Sequence, residues 1–157
     1  MARVSKEEKE ANFEKFNQII MEIFFESGWE SVTYDNIAKI AGVRKSTLQG
    51  YYPTKKDFGQ TLKGKMLPII LKQLDFSSKA ALVDSWKAGL SDKKFRYIVS
   101  LLLYTVTLAT PPAHITSALN QLIDICESHF PNEGYGISER LLGLTIMWLA
   151  TVNVEST

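Results

Sequence analysis

Apolar residues recur at three- and four-residue spacing along most of the chain, the period of a helix with one buried stripe. No stretch shows the two-residue alternation of a half-buried strand, so the pattern predicts an all-α protein. Phe13, Phe16, Ile20, Ile23 and Phe24 fall on one face of a helix expected over 6–27, with Glu14, Glu22 and Glu26 outside. Gly28 is its stop, and Trp29 is expected to pack back over the joint. Ile37, Ile40 and Ala41, with Ala38 beside them, predict a short helix over 34–41 capped by Thr33. Gly42 ends it, Val43 plugs the angle, and a second short helix over 44–52 buries Leu48 and Tyr52. Pro53 stops that helix, and Thr54 and Asp57 cap the next, expected over 55–74. That helix contains Gly59, Gly64 and Pro68, each unfavourable in a helix interior, so it is expected to bend.

The rest also reads as helix. Leu82, Val83 and Trp86 mark a segment over 80–88 with Gly89 as its stop. Residues 92–110 are apolar nearly all round from Tyr97 onward, which predicts central burial. Pro111 and Pro112 separate this helix from a stripe of Ile115, Leu119, Leu122, Ile123, Cys126 and Phe130. A loop over 132–136 precedes a last helix over 137–152.

Composition is that of a folded domain, 45% hydrophobic and 22% charged in 157 residues, enough for one or two small domains. The single cysteine, Cys126, excludes an internal disulfide framework and suits a reducing cytoplasm. The first twelve residues lack the apolar segment of a secretory signal, and the longest apolar stretch is too short to cross a bilayer. Charge changes the picture more. Between Lys39 and Lys65 stand Lys39, Arg44, Lys45, Lys55, Lys56, Lys63 and Lys65 against Asp57 alone, a local +6 in a chain of net +1. A basic stripe on a near-neutral protein points to a local polyanion site. It coincides with two short helices joined by a glycine turn, the helix-turn-helix, whose second helix enters the DNA major groove. Arg44 and Lys45 sit at the start of that helix, where side chains meet phosphates or a guanine edge.

The run A-G-V-x-K-x-T-L-x-x-Y-Y-P-T-K-x-D-F, preceded by F-x-E-x-G-W-E-x-V-T, resembles the amino-terminal DNA-binding domain of TetR-family transcription regulators over residues 13–65. Beyond that the resemblance is one of architecture. It implies a three-helix helix-turn-helix head, residues 1–54, joined to a helical ligand-binding and dimerisation body, residues 55–157. Carried over position by position, it implies DNA-facing roles for Lys45, Ser46, Thr47, Gln49, Gly50 and Tyr51, with phosphate contacts from Thr33 and Lys55. Gln49 departs from the aromatic residue many relatives carry there and suits a bidentate pair with adenine. Gly50 costs about 1 kcal/mol against alanine inside a helix, leaving open whether it permits close DNA approach or is merely tolerated.

The resemblance further implies a homodimer through the last two helices, 115–130 and 137–152, with Leu119, Leu122, Ile123, Leu141, Leu144 and Trp148 at the interface. Two recognition helices ~35 Å apart would then read a near-palindromic operator in double-stranded DNA. It implies a small-molecule effector in the body, for which Trp86, Phe95, Tyr97, Ser100, Tyr104, Thr107, Met147 and Trp148 are candidate lining groups. For any one of them, ordinary core packing is the commoner role. No cofactor is implied. Cys126 and His129, three apart on a helix, are two ligands without a third and make no metal site. No phosphate loop, H-E-x-x-H or G-x-S-x-G motif occurs, which argues against an enzyme. Arg3 and Lys6 are within an amino-terminal arm that either reaches along a DNA groove or, as is commoner, is a solvated end. The expected function is a ligand-responsive repressor. The rival functions are a protein-interaction partner and a small-molecule binder, neither of which binds DNA.

Overall fold

The computed structural model describes residues 3–108, 110 and 113–155. Every regular element among the described residues is helical: α1 (Lys6–Ser27), a 3-10 turn (Trp29–Ser31), α2 (Tyr34–Ala41), α3 (Lys45–Tyr51), α4 (Lys56–Leu62), α5 (Met66–Leu71), α6 (Lys79–Ser91), α7 (Lys93–Val106), α8 (Ala113–His129) and α9 (Gly134–Glu155). The chain divides into two compact units, Met1–Lys63 and Gly64–Thr157.

In the first unit, α1 begins where Ser5 Oγ accepts from the Glu8 amide and ends where Gly28 turns to φ 84°. Its buried face is Phe16, Ile19, Ile20, Ile23 and Phe24. Phe13 departs from expectation at 43% exposed, because it lies as a lid stacked on Tyr52 at 5.4 Å instead of entering the core. Ile40 departs further, at 58% exposed. At 3.6 residues per turn, Ile37, Ala38 and Ala41 share about 100° of the α2 surface, and Ile40 lies roughly 100° from their centre. Leu48 is fully buried beneath α3, contributing about 1.5–3 kcal/mol. A helix of seven residues depends on such burial, since isolated helices that short do not persist in water. Tyr34 and Tyr52 both pack on Phe58 of α4, at 4.8 and 5.1 Å.

The single helix expected over 55–74 is two. After α4 the chain reaches Gly64 at φ 75°, a left-handed conformation costly for residues with a Cβ, and α5 starts beyond it. Pro68 is the third residue of α5, a first-turn position where its missing N–H loses no helical hydrogen bond.

In the second unit, Gly89 does not end α6 but lies buried within it. A Cβ there would stand 2.7 Å from the ring of Phe95, so glycine lets α6 and α7 approach. The helix ends instead at Asp92, whose carboxylate accepts from the Lys94 amide and starts α7. The expectation that α7 is buried all round fails. Phe95, Ile98, Val99 and Thr105 form its buried side, whereas Tyr104 is 55% exposed. Pro111 and Pro112 lie outside the described residues, as do the side chains of His114 and Ile115. α8 and α9 pack as a pair, and α9 also packs on α6. Between α8 and α9 the Glu127 carboxylate accepts from the amides of Asn132 at 2.5 Å and Gly134 at 2.7 Å. It thereby caps α9, which starts three residues earlier than the turn-rich composition of 132–136 suggested.

Candidate nucleic-acid interface

The α2–α3 pair is set by its corner. Gly42 takes the left-handed conformation, φ 69° and ψ 33°, and the Val43 amide closes back on Ala38 O at 3.1 Å. Leu48 is the one buried residue of α3, leaving Lys45, Ser46, Thr47, Gln49 and Gly50 exposed with Arg44 just ahead of them. Tyr51 is half-buried. Its hydroxyl accepts from Asn12 Nδ2 at 3.3 Å and its ring meets the edge of Phe16 at 5.1 Å. Thr33 is half-buried, and its Oγ1 accepts from the Asn36 amide at 3.2 Å, the expected cap of α2. Lys55 is exposed just before α4, its ammonium 5.8 Å from the Trp29 ring centre. The arrangement offers backbone-fixed polar and cationic groups on one short helix, the chemistry that contacts phosphates and base edges.

A hydrogen-bonded relay holds this corner at its angle. Tyr34 Oη donates to Tyr52 O at 2.5 Å, and Tyr52 Oη donates to Asn17 Oδ1 at 2.5 Å. Thr61 Oγ1 donates to the same oxygen at 3.0 Å. The chain of bonds ties α2 to the end of α3 and both to α1 and α4. Burial pushes both phenols above their ordinary value near 10, and for Tyr34 the Asp57 carboxylate adds to the effect. Protonated phenols are what the relay requires, because each is a donor.

Two participants escaped the sequence pattern. Asn17 lies among the polar positions of α1 and carries no motif. Asp35, in the first turn of α2, forms an ion pair with Lys45 at 2.5 Å across the corner, the two side chains 72% and 54% exposed. Only the opposite charges on the two helices hinted at it, and ten residues separate them.

The candidate effector residues of the body are divided. Trp86 and Phe95 are core groups in edge contact at 5.1 Å. Trp86 Nε1 donates to the fully buried Thr145 Oγ1 at 2.9 Å, so its polar handle is satisfied within the protein. Tyr97, Ser100 and Trp148 are half-buried, with the Arg96 guanidinium 5.5 Å from the Trp148 ring centre. Tyr104, Thr107 and Met147 are exposed. The candidate interface residues divide similarly. Leu122 and Leu141 face the core of their own unit, at 3% and 0% exposed, whereas Leu119, Ile123 and Leu144 are half-buried. Burial raises the Cys126 thiol pKa, and His129 stacks on Phe76 at 4.4 Å. No helix among the described residues is long and apolar enough to cross a membrane.

A family model described as the tetracycline repressor LuxT C-terminal domain matches residues 63–149, more than half of the chain. No curated protein matches it. The match covers the second compact unit, α5 to most of α9, and leaves the helix-turn-helix corner to be judged on its geometry alone. The chain therefore belongs to the tetracycline repressor-like regulators whose carboxy-terminal domain is of the LuxT type.

Proposed function

We propose that this regulator is a homodimeric repressor. It seats two α3 helices in successive major grooves of a near-palindromic operator and leaves when an effector binds its body. The observation that carries this reading is the outward face of α3. Five of its seven residues are exposed and polar or bare, Leu48 alone holds it from below, and Gly42 sets its angle. Lys45 and Arg44 supply charge for phosphates, Thr47 and Gln49 supply groups for base edges, and Lys55 meets a further phosphate. Half-buried Tyr97, Ser100 and Trp148 are better placed for an effector than Trp86 and Phe95, which the core already holds.

α9 supports the dimer. Its buried stripe, Ile137, Ser138, Leu141 and Thr145, includes two hydroxyls that bond back to carbonyls one turn earlier. Its opposite side carries Gly143, Ile146, Met147 and Ala150, all exposed, and residues 141–154 contain no charge. A helix more apolar outside than an ordinary surface helix is suited to a partner. A second copy packed there would use Ile146 and Met147 in place of Leu122 and Leu141.

A mobility-shift titration of promoter fragments with wild type and Lys45→Ala/Thr47→Ala tests the DNA reading. Wild type should bind with steep salt dependence and the double variant should bind weakly. Wild type that binds no DNA at low salt refutes it and favours the protein-interaction alternative. Sedimentation of Ile146→Glu should give a monomer where wild type gives a dimer.

A further inference from the structure

We propose that the open groove between the start of α1 and the end of α3 is a second site for duplex phosphates, extending DNA contact beyond the recognition helix. This rests on the DNA-binding reading above and adds a contact surface to it. The groove encloses about 520 Å³. Arg3, Lys6 and Lys9 line one side, and Gly50 and Tyr51 line the other. Among the described residues no acidic side chain lines it. Glu7, Glu8 and Glu10 share the same stretch of α1, and only Glu10 reaches one of the three cations, Lys6, at a distant 4.0 Å with both side chains largely in solvent. Among the described residues neither Arg3 nor Lys9 forms an ion pair. The three cations thus stand around one hollow whose walls carry no carboxylate, an arrangement that suits a polyanion.

The opposite wall is built to stay open. A Cβ at Gly50 would meet nothing within 4 Å, and the residue does not need a left-handed backbone. Neither packing nor conformation within this unit therefore calls for glycine there, although glycine disfavours helix. Its effect is to leave bare backbone facing Arg3, Lys6 and Lys9. Tyr51 is held as the neighbouring wall by Asn12 and Phe16. Because Gly50 lies one turn beyond exposed Ser46 and Thr47 on the same face of α3, a duplex seated on that helix would meet the groove beside it. The contacts expected are to phosphate oxygens, which position the protein and carry no sequence preference.

The test is an anisotropy titration of the full chain against a mixed-sequence duplex over a salt series. Arg3→Gln/Lys6→Gln/Lys9→Gln should lower the slope of log K against log salt by about 0.9 for each lost phosphate contact, up to about 2.7. Gly50→Leu, which fills the groove, should weaken binding without lowering the melting temperature. Lys15→Gln/Lys72→Gln/Lys87→Gln removes the same charge elsewhere on the exposed surface and should leave the slope unchanged. Wild type that binds with a steep slope while the first two variants keep its slope and affinity overturns the groove and spares the recognition helix. An equal drop in slope with the control triple also overturns it, because net charge then explains the effect. Wild type without salt-dependent binding overturns both. Should the first triple variant misfold by circular dichroism, Lys9→Gln decides: a slope lower by about 0.9 supports the groove and an unchanged slope overturns it.

Discussion

Asp35→Asn should tighten DNA binding, and the structure says by roughly how much. In the free protein Lys45 is held by Asp35 at 2.5 Å, so a phosphate competing for that ammonium must first break the pair. The side chains are 54% and 72% exposed, which places the pair among surface ion pairs of about 0.2–1 kcal/mol. Removing that cost raises the association constant by about 1.4- to 5-fold. Folding should suffer little. Loss of the whole pair corresponds to a fall in melting temperature of at most about 4–8 °C for a unit of this size. The assay is anisotropy of a labelled mixed-sequence duplex with wild type, Asp35→Asn, Lys45→Ala and the double variant at one fixed salt concentration. Asp35→Asn should bind more tightly than wild type, and its gain should shrink when Lys45 is already alanine. Asparagine that leaves affinity unchanged or weakens it, in a protein whose binding does fall with Lys45→Ala, refutes the competition. An equal gain in both backgrounds refutes it as well, since the effect is then the lost negative charge and not a released lysine.

Other expectations concern the frame. Gly134→Ala would put a Cβ 2.5 Å from the Glu127 amide nitrogen and 2.6 Å from its Cα, atoms that cannot move aside as a side chain can. A loss at the upper end of the overpacking range, about 1–3 kcal/mol, should appear as a lower urea midpoint at unchanged m. Thr145→Val keeps the shape but strips Trp86 Nε1 of its acceptor, costing about 1–3 kcal/mol by the same assay. The raised phenols of Tyr34 and Tyr52 predict alkaline sensitivity. The folded state favours their neutral forms, so their contribution is complete below pH 10 and declines as pH climbs above it. Unfolding followed from pH 8 to 11 should show that decline, and Tyr52→Phe should flatten it while lowering stability at neutral pH.

Much of the fold was legible because local rules and burial agree there. Ser5, the 3.6-residue stripe and Gly28 bracket α1 where the pattern placed it, and Thr33 and Gly42 bracket α2. The glycines further on show where local rules stop. Gly64 lies in the turn that interrupts the expected helix, taking a left-handed φ just after Lys63 leaves α4 at ψ 130°, yet Gly89 stays inside one, where the ring of Phe95 occupies the space a Cβ would need. Propensity treats both alike, and only a neighbour distant in sequence separates them. Asn132 to Gly136 read as loop by composition, but the Glu127 carboxylate reaches across the turn to cap α9 at Gly134.

By itself the sequence determined an all-helical chain, the corner of α2 and α3, and the polar face of α3, since these follow from residue type and spacing within a few turns. The tertiary structure decided which of two apolar faces of α9 enters its own core, where Leu141 and Thr145 lie inside and Ile146 and Met147 outside. It also joined Asp35 to Lys45 and Asn17 to Tyr52, and set Arg3, Lys6 and Lys9 around one hollow with Gly50. The physical reason is that a period specifies a face of a helix, whereas a partner is specified only when packing brings distant faces together.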